Sequence, residues 1–423
     1  MKHLEKRKFE YNLEGLRGLA ALIVVWFHAV SVKNLLDPHY TPSGPLAYCV
    51  PGHLSVLLFF VLSGYVIGLT NKAPLTGAAI AAYLRKRFVR IYPIYAVALL
   101  LTLFVAQSYP LTTWLAHFSL TQVLLSPVIG ENAPMWSLHY EVFYYLLFIP
   151  LSMWRVDAWL AAGACFFIGL FNQLAWPANT LLTSYSYGFT FWLCGLALAR
   201  SPQPSLRSTY QFLLGMMLLL LSMRNFNVYE TILLKVMRLA VGERLIYPAI
   251  TEQFRAVISF ADLAFLPFGM VCIRVFTNQN FPGRRYVLWA LFGLPAATFL
   301  YIVQHNGQVD LNPYVMSTVF YLAAVAMVSF PSARVEAWSA WVMQQFVKLG
   351  GISYALYVVH DPIAECLRRI GVFSGTGMTY SVRFALLLAL SLLAAHLLEN
   401  KFQPLMRRLL ESRRPELHGP KIT

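Results

Sequence analysis

The sequence predicts an all-α protein, a polytopic bundle of transmembrane helices with about 10–12 spans and both termini in the cytosol. Of its 423 residues, 58% are hydrophobic and only 12% are charged, which leaves too little polar surface for a water-soluble globule of this length. Apolar segments long enough to cross a bilayer recur along the chain. Basic residues cluster between these segments, as they do in cytosolic loops.

Twelve apolar segments are the expected spans. Several are shorter than the roughly 20 residues that a perpendicular crossing needs, so the number of spans is a range. Residues 110–128 are predicted to form an additional re-entrant or interfacial piece. The first segment follows a basic N-terminus, but it contains Arg17 and His28 and precedes many further spans, so we interpret it as an uncleaved helix. The segments are residues 13–33, 50–70, 90–107, 134–154, 157–173, 181–199, 209–224, 255–276, 286–304, 312–331, 346–367 and 379–399.

Positive charge predicts one orientation for the chain, because most basic clusters fall on the side that also holds both termini. The connection 225–254 is the exception, since it carries Lys235, Arg238 and Arg244 on the predicted external side, where longer loops follow the rule weakly. The basic residues on the predicted cytosolic side are Arg85, Lys86, Arg87, Arg90, Arg200, Arg207, Arg284, Arg285, Arg407 and Arg408.

Composition also limits the partners and the domain organisation. The net charge of +15 indicates anionic lipid headgroups and a phosphate-bearing cytosolic ligand rather than nucleic acid, because the basic residues lie between apolar runs. The five cysteines lack C-x-x-C spacing and the histidines lack a common spacing, so no metal site or disulfide framework is predicted. We expect residues 1–410 to form one integral-membrane domain and residues 411–423 a polar tail.

The first span carries two ionisable residues, Arg17 and His28. Their separation corresponds to roughly three helical turns and roughly 16 Å, which puts both side chains on nearly the same face. Ionisable groups inside a span are costly unless they face a bundle interior, a partner or a watery cavity, so both are candidates for a functional site. Alternatively, Arg17 snorkels to the headgroups and His28 is a hydrogen-bonded packing residue.

Five strings, in order, resemble the acyltransferase 3 family of integral-membrane acyltransferases. They are LEGLRGLAALIVVWFH, LLFFVLSGYVI, RKRFVRIYPIY, PMWSLHYEVFYYL and ISYALYVVHDP. The resemblance covers nearly the whole chain, and the family's first-helix arginine and histidine correspond to Arg17 and His28. It implies transfer of an acyl group, commonly acetyl, from a cytosolic coenzyme A thioester to a hydroxyl of a cell-surface glycan or its lipid-linked precursor.

The chemistry of the first-helix residues fits this implication. A histidine, with an unperturbed pKa of about 6.5, can take a proton from an attacking hydroxyl or carry an acyl group transiently, and we assign that role to His28. Arg17 offers a fork of donors to a phosphate or a carbonyl, or forms a structural ion pair. Glu141, the only carboxylate of its segment, orients His28 or serves as a second proton carrier. Alternatively, it neutralises Arg17 and is architectural.

The basic run Arg85, Lys86, Arg87 and Arg90 precedes an apolar segment. Coenzyme A carries a 3′-phosphate and a pyrophosphate, which favour clustered arginines, so Arg85, Arg87 and Arg90 are candidate cofactor-binding residues. Juxtamembrane basic residues also bind anionic lipid and fix topology, which is the alternative interpretation.

Four further residues are candidates for the substrate side. Ser63 and the adjacent Gly64 permit close approach of another helix, and the serine hydroxyl offers a hydrogen bond across the bundle. Trp136 and Ser137 begin a helix after a proline, where they line an acceptor entrance or anchor the interface. His360 faces the cavity or caps a kink at the following proline.

The sequence therefore predicts a multi-pass acyltransferase of the cell (inner) membrane that modifies a polysaccharide of the cell envelope by O-acetylation. The donor is acyl-CoA, no metal is expected, and the acceptor is a carbohydrate or lipid-linked glycan, reached directly or through a separate extracytoplasmic acyl-acceptor protein. The competing interpretation is a transporter or flippase that passes an intact solute. The lack of paired Gly/Pro-broken helices in matching halves argues against it.

Overall fold

The computed structural model describes residues 2–242, 256–305, 307–308 and 310–411, and these residues form helices and connecting turns without a β-strand. The all-α bundle that the composition predicts is confirmed. Arg244 and Asn306 lie outside the described residues, as does the predicted tail after Glu411.

The described residues contain seventeen α-helices. They are α1 Lys2–Ser31, α2 Gly52–Thr70, α3 Ala78–Val105, α4 Leu111–Phe118, α5 Met135–Met153, α6 Ala158–Ala175, α7 Thr180–Arg200, α8 Tyr210–Ser222, α9 Val228–Val241, α10 Leu266–Phe276, α11 Arg284–Gly293, α12 Pro295–Gln304, α13 Asn312–Ser329, α14 Ala333–Gly350, α15 Ser353–Arg368, α16 Gly377–Leu397 and α17 Gln403–Glu411. A π-helical turn, Leu398–Phe402, joins the last two.

Eight stretches of the described chain are helices long and apolar enough to cross a membrane. Helices α8, α10 and α15, which the sequence also predicts as spans, have only 13, 11 and 16 residues, and the predicted span at α5 is too polar to be among the eight. Helices α5 and α15 carry the polar groups of the candidate site. Their polar residues are largely buried against other helices, where such groups find partners that lipid does not offer. The eight are Tyr11–Ser31, Gly52–Thr70, Ala78–Val105, Ala158–Ala175, Thr180–Arg200, Arg284–Gln304, Asn312–Ser329 and Gly377–Leu410.

The stretch 110–128 does not form a helix of span length. Helix α4 has eight residues, and the chain then turns through Leu120 and Val123, whose φ angles of 57° and 72° are left-handed. His117 fastens this piece, since its Nδ1 lies 2.8 Å from the Thr113 carbonyl and its Nε2 accepts from the Ile129 amide at 3.2 Å. Residues 110–128 therefore pack as a short helix and turns.

Helices α2 and α7 are in backbone contact at two glycines. A Cβ atom at Gly64 would lie 1.8 Å from the carbonyl oxygen of Trp192, and one at Gly195 would lie 2.0 Å from that of Val61. No other residue fits such a separation, as expected where small residues let membrane helices approach closely. This contact fixes Ser63 within the bundle.

The start of α5 is fastened to α15 and α3. The Asp361 carboxylate accepts from the Ala133 amide at 3.0 Å, and Asn132 donates to the Val358 carbonyl at 3.2 Å and to Thr102 at 2.9 Å. These buried bonds satisfy backbone groups that would be costly to leave unpaired. They hold the first turn of α5 against the part of α15 that carries His360.

Candidate active site

A cavity of about 910 Å³ enters the bundle from the end where the basic run lies, which we call the basic end. Its mouth is lined by basic side chains from α1, α3 and α17, and its interior by hydroxyls, a carboxylate and aromatic rings. The cavity thus brings together seven of the candidate site residues that the sequence predicts. They are Arg17, Ser63, Arg85, Arg87, Arg90, Ser137 and Glu141.

The arginines at the mouth differ in their partners. Arg90 forms an ion pair with Glu399 at 2.6 Å and lies over the Tyr354 ring at 5.4 Å. Arg85 donates to the carbonyl of Leu410. Arg87 lies over the Tyr145 ring at 5.8 Å, and its buried Nε has no hydrogen-bond partner among the described residues. Arg87 is therefore the arginine best placed to bind an anion.

Arg17 and Glu141 do not pair with each other. Arg17, which lines the cavity, bonds Glu14, three residues earlier in the same helix, at 2.7 Å, and both side chains are partly exposed. Such an exposed pair contributes little stability. The structure therefore does not show the alternative in which Glu141 neutralises Arg17.

Glu141 instead accepts hydrogen bonds inside the cavity. The Ser63 hydroxyl donates to its Oε1 at 2.8 Å, and the Tyr145 hydroxyl donates to the same oxygen. Trp192 donates from Nε1 to Ser63 at 3.3 Å. The predicted hydrogen bond of Ser63 across the bundle is thus present, whereas Glu141 makes no hydrogen bond to His28 within the described part of the chain.

His28 contacts His360 on α15, 332 residues later in the chain. Nδ1 of His28 lies 2.8 Å from Nε2 of His360, and the ring centroids are 4.9 Å apart. Nδ1 of His360 lies 3.2 Å from the Leu356 carbonyl. A carbonyl only accepts, so with neutral rings the Nδ1 of His360 carries its proton, and its Nε2 accepts from the Nδ1–H of His28. This assignment, inferred from hydrogen bonding, leaves a free lone pair on Nε2 of His28.

The histidine pair lies just beyond the inner end of the cavity. Tyr357 lines the cavity, and its ring centroid is 6.3 Å from that of His360, one helical turn further along α15. The Tyr357 hydroxyl bonds Ser137 at 2.7 Å, and its ring lies 6.0 Å from that of Phe59. Tyr357 and Phe59 both line the cavity, whereas His28 and His360 do not, so of the two first-helix candidates Arg17 lines it and His28 does not.

Asp361 joins the histidine pair in a group that could hold a metal ion. His28, His360 and Asp361 each offer one ligand atom, and these atoms lie within 4.8 Å of one another. Oδ1 of Asp361 is buried without a hydrogen-bond partner in the described part of the chain. Sequence spacing could not indicate this group, because α1 and α15 are distant in the chain. The direct bond between the two rings occupies Nδ1 of His28 and Nε2 of His360 in the present arrangement.

Trp136 is buried and does not line the cavity. Its ring is stacked beside that of His53, with centroids 6.2 Å apart, and Nε2 of His53 lies 3.0 Å from a carboxylate oxygen of Asp262. This contact joins the start of α2 to the residues before α10, and sequence spacing does not indicate it. The interpretation of Trp136 as part of an acceptor entrance has no support from its position.

Sequence reasoning also missed Tyr145, Tyr357 and Arg407, which line the cavity. A signal was available for two of them. Tyr145 is four residues after Glu141, and Tyr357 is three residues before His360, so each shares a helix face with a candidate residue. From the sequence, Arg407 indicates only the orientation of the chain in the membrane.

Comparisons with known proteins place this chain among acyltransferases. A family model described as an acyltransferase domain, that of the acyltransferase 3 family, matches residues 10–399. The chain is 30% identical over 174 residues to acyltransferase MdmB of Streptomyces mycarofaciens, covering 36% of this chain and 43% of that protein. It is 36% identical over 91 residues to protein 2 in the picA locus of Rhizobium radiobacter, covering 21% of this chain and 41% of that protein.

The matched regions span less than half the length of these two curated relatives. No solved structure matches the chain.

Proposed function

The chain belongs to the acyltransferase 3 family, and we propose that it transfers an acyl group, most simply acetyl, from cytosolic acyl-CoA to a hydroxyl of a cell-surface polysaccharide or a lipid-linked glycan. The proposal places the enzyme in the cell (inner) membrane. The observation that carries it is the cavity that joins a basic mouth to the neighbourhood of His28 and His360.

On the donor side, the basic mouth suits the phosphates of coenzyme A. Basic side chains converge there from α1, α3 and α17, so they surround a space rather than facing only the headgroup layer. Arg87 has a buried donor without a partner among the described residues. Guanidinium groups bind phosphate through paired, charge-assisted hydrogen bonds, which favours this assignment over lipid anchoring alone.

Further in, the Glu141 network suits the uncharged arm of the donor. The coenzyme A arm carries amide N–H groups, and a carboxylate that already accepts from Ser63 and Tyr145 is a fixed acceptor for them. Binding by Glu141 would hold the thioester pointing toward Tyr357. In this proposal Glu141 orients the donor and is not a proton carrier.

His28 is the proposed reacting group. Its Nε2 lone pair takes the proton of the acceptor hydroxyl while the oxygen forms a bond to the acyl carbon and the carbon–sulfur bond breaks. The imidazolium then returns the proton to the departing thiolate, so free coenzyme A is released. The same lone pair also allows an acyl-histidine route, in which the acyl group moves first to nitrogen and then to the hydroxyl.

His360 is the proposed positioning residue. Since it accepts from Nδ1 of His28 and donates to the Leu356 carbonyl, it fixes which nitrogen of His28 is the base. A base that is itself oriented by a third group is the recurring logic of catalytic triads. In this proposal Tyr357 turns aside when the thioester meets His28, since it lines the cavity and its ring centroid lies 6.3 Å from that of His360.

Purified protein in liposomes tests the proposal. We expect acetyl-CoA to release free coenzyme A, and the release to rise with an accepted glycan, since a hydroxyl is the second substrate. A transporter or flippase would instead move an intact solute without breaking the thioester. The absence of thioester cleavage with folded protein, across acyl-CoA donors and glycan acceptors, would overturn the proposal.

A further inference from the structure

A second cavity of about 1070 Å³ lies beside α8, α11 and α13. It shares no lining residue with the candidate active site. Its volume is at the upper end of the roughly 300–1,000 Å³ that hold drug-sized ligands in proteins. The cavity is therefore large enough for a ligand with both a headgroup and a chain.

The lining changes from polar to apolar along the helices. Arg284 and Arg285 open α11, whereas Leu288 and Phe292 lie deeper on the same helix. From Arg284 to Phe292 the helix rises roughly 12 Å. Val325 contributes further apolar surface from α13. This gradient matches an amphiphile with its anionic end at the arginines.

Both arginine charges are without a carboxylate partner. No acidic residue lines this cavity, and neither guanidinium forms an ion pair among the described residues. Arg284 lies over the Phe212 ring at 5.7 Å and reaches Ser208 at 3.5 Å, and Arg285 lies over the Trp289 ring at 4.4 Å. The rings support the guanidinium planes and, apart from the Arg284 N–H that reaches Ser208, leave N–H groups for an anion.

The helices around the cavity also face lipid. Arg284–Gln304 and Asn312–Ser329 are candidate spans, and only 17% of each is buried within the protein. Tyr286 and Trp289 are exposed at the same end, as aromatic residues are at a membrane interface. A ligand can therefore enter this cavity from the bilayer.

We propose that this cavity binds an anionic phospholipid, with the phosphate between Arg284 and Arg285 and an acyl chain along Leu288, Phe292 and Val325. A soluble phosphate would use the arginines but not the apolar depth. A zwitterionic lipid would fill the depth but leave the two positive charges poorly compensated.

Native mass spectrometry of the full chain tests this site, using an equimolar mixture of palmitoyl-oleoyl phosphatidylglycerol and palmitoyl-oleoyl phosphatidylcholine. We expect the wild type to retain phosphatidylglycerol preferentially. Arg284→Gln with Arg285→Gln should lower that retention roughly tenfold or more, because each basic residue near anionic lipid strengthens binding severalfold. Arg334→Gln is the matched control, since Arg334 is an exposed arginine that follows α13 at the same end. Arg334→Gln should leave the preferential retention of phosphatidylglycerol unchanged.

Val325→Trp distinguishes lipid binding inside the cavity from binding of the anionic headgroup by the arginines alone. This variant keeps both arginines but fills the apolar depth, so we expect it to lose retained phosphatidylglycerol as well. Thermal unfolding in detergent checks that each variant is folded. Equal retention of the two lipids by the wild type would overturn the proposal, as would undiminished retention by the double arginine variant or by Val325→Trp.

Discussion

At His28, a series of hydrogen bonds that begins at a backbone carbonyl defines which nitrogen carries the proton. Leu356 fixes the proton of His360, and His360 in turn fixes the proton of His28. Nε2 of His28 is then the nitrogen that the proposed mechanism uses as the base.

Substitution of His28 is the first prediction at this scale. His28→Gln keeps much of the volume and hydrogen bonding but has no titratable imidazole, so we expect kcat for acyl transfer to fall by roughly 10²–10⁴-fold. His360→Gln should retain more activity than His360→Ala, because an amide oxygen can still accept from Nδ1 of His28. Rates are compared at equal amounts of folded protein.

A packing role for His28 would give a different pattern. In that case His28→Gln would keep near-normal turnover, and His28→Ala would mainly lower the yield or the unfolding temperature. Full activity of a folded His28→Gln protein would contradict the catalytic assignment.

Substitutions of Arg87 and Arg90 should have different effects, the first on donor binding and the second on the stability of the fold. We expect Arg87→Gln to raise the KM for acyl-CoA about tenfold, equivalent to about 1.4 kcal/mol. Arg90→Gln should chiefly destabilise the fold, by on the order of 1–3 kcal/mol, since it leaves the buried Glu399 carboxylate without its partner. Steady-state kinetics and thermal unfolding distinguish the two effects.

The double variant Arg90→Gln with Glu399→Gln is the control for the ion pair. Because it removes both charges, it should regain much of the lost stability. An unchanged KM in folded Arg87→Gln would leave this arginine with an anchoring or packing role only.

At the scale of helices, the contact between α2 and α7 sets the position of Ser63. Gly64→Ala would place a Cβ against the backbone of Trp192, which cannot shift as a side-chain end can, so the helices must separate. We expect a lower unfolding temperature and reduced activity, because Ser63 would also move from Glu141. Differential scanning fluorimetry in detergent measures the first effect.

Gly163→Ala is the matched control on α6. No atom lies within 4 Å of a Cβ at that position, and alanine is favoured over glycine in a helix by roughly 0.5–1 kcal/mol. It should leave stability unchanged or raise it. Equal stability of the Gly64→Ala protein and the wild type would refute the close-packing argument.

At the scale of the whole molecule, some basic groups that are distant in the chain come together, at two places in the fold. Arg85 bonds the end of α17, and Arg407 from α17 lines the same cavity. Arg284 reaches Ser208, next to Arg207 in the chain. The prediction that these groups are cytosolic concerns the membrane rather than the fold, and it needs a topology experiment.

Cysteine-accessibility labelling tests which side of the membrane the basic residues face. In a background without the native cysteines, single cysteines near Arg87 and Arg408 should be labelled from the cytosol, and one near Asn306, such as at Gln308, from outside. Labelling near Arg87 and near Asn306 from the same side would remove the proposed donor entrance, because coenzyme A is cytosolic.

The sequence by itself determined the helical membrane class, the positions of the apolar helices, the polar pair in the first helix and the basic run. These depend on composition, on segment length and on periodicity, which are local properties of a chain. Family strings added Ser63, Glu141 and His360 as candidates without their partners. Only the tertiary structure joined His28 to His360 and Glu141 to Ser63, and only it separated Arg17 from Glu141. Contacts between helices depend on how each helix is rotated and offset against its neighbours, and that is decided by packing across hundreds of residues rather than by any local pattern.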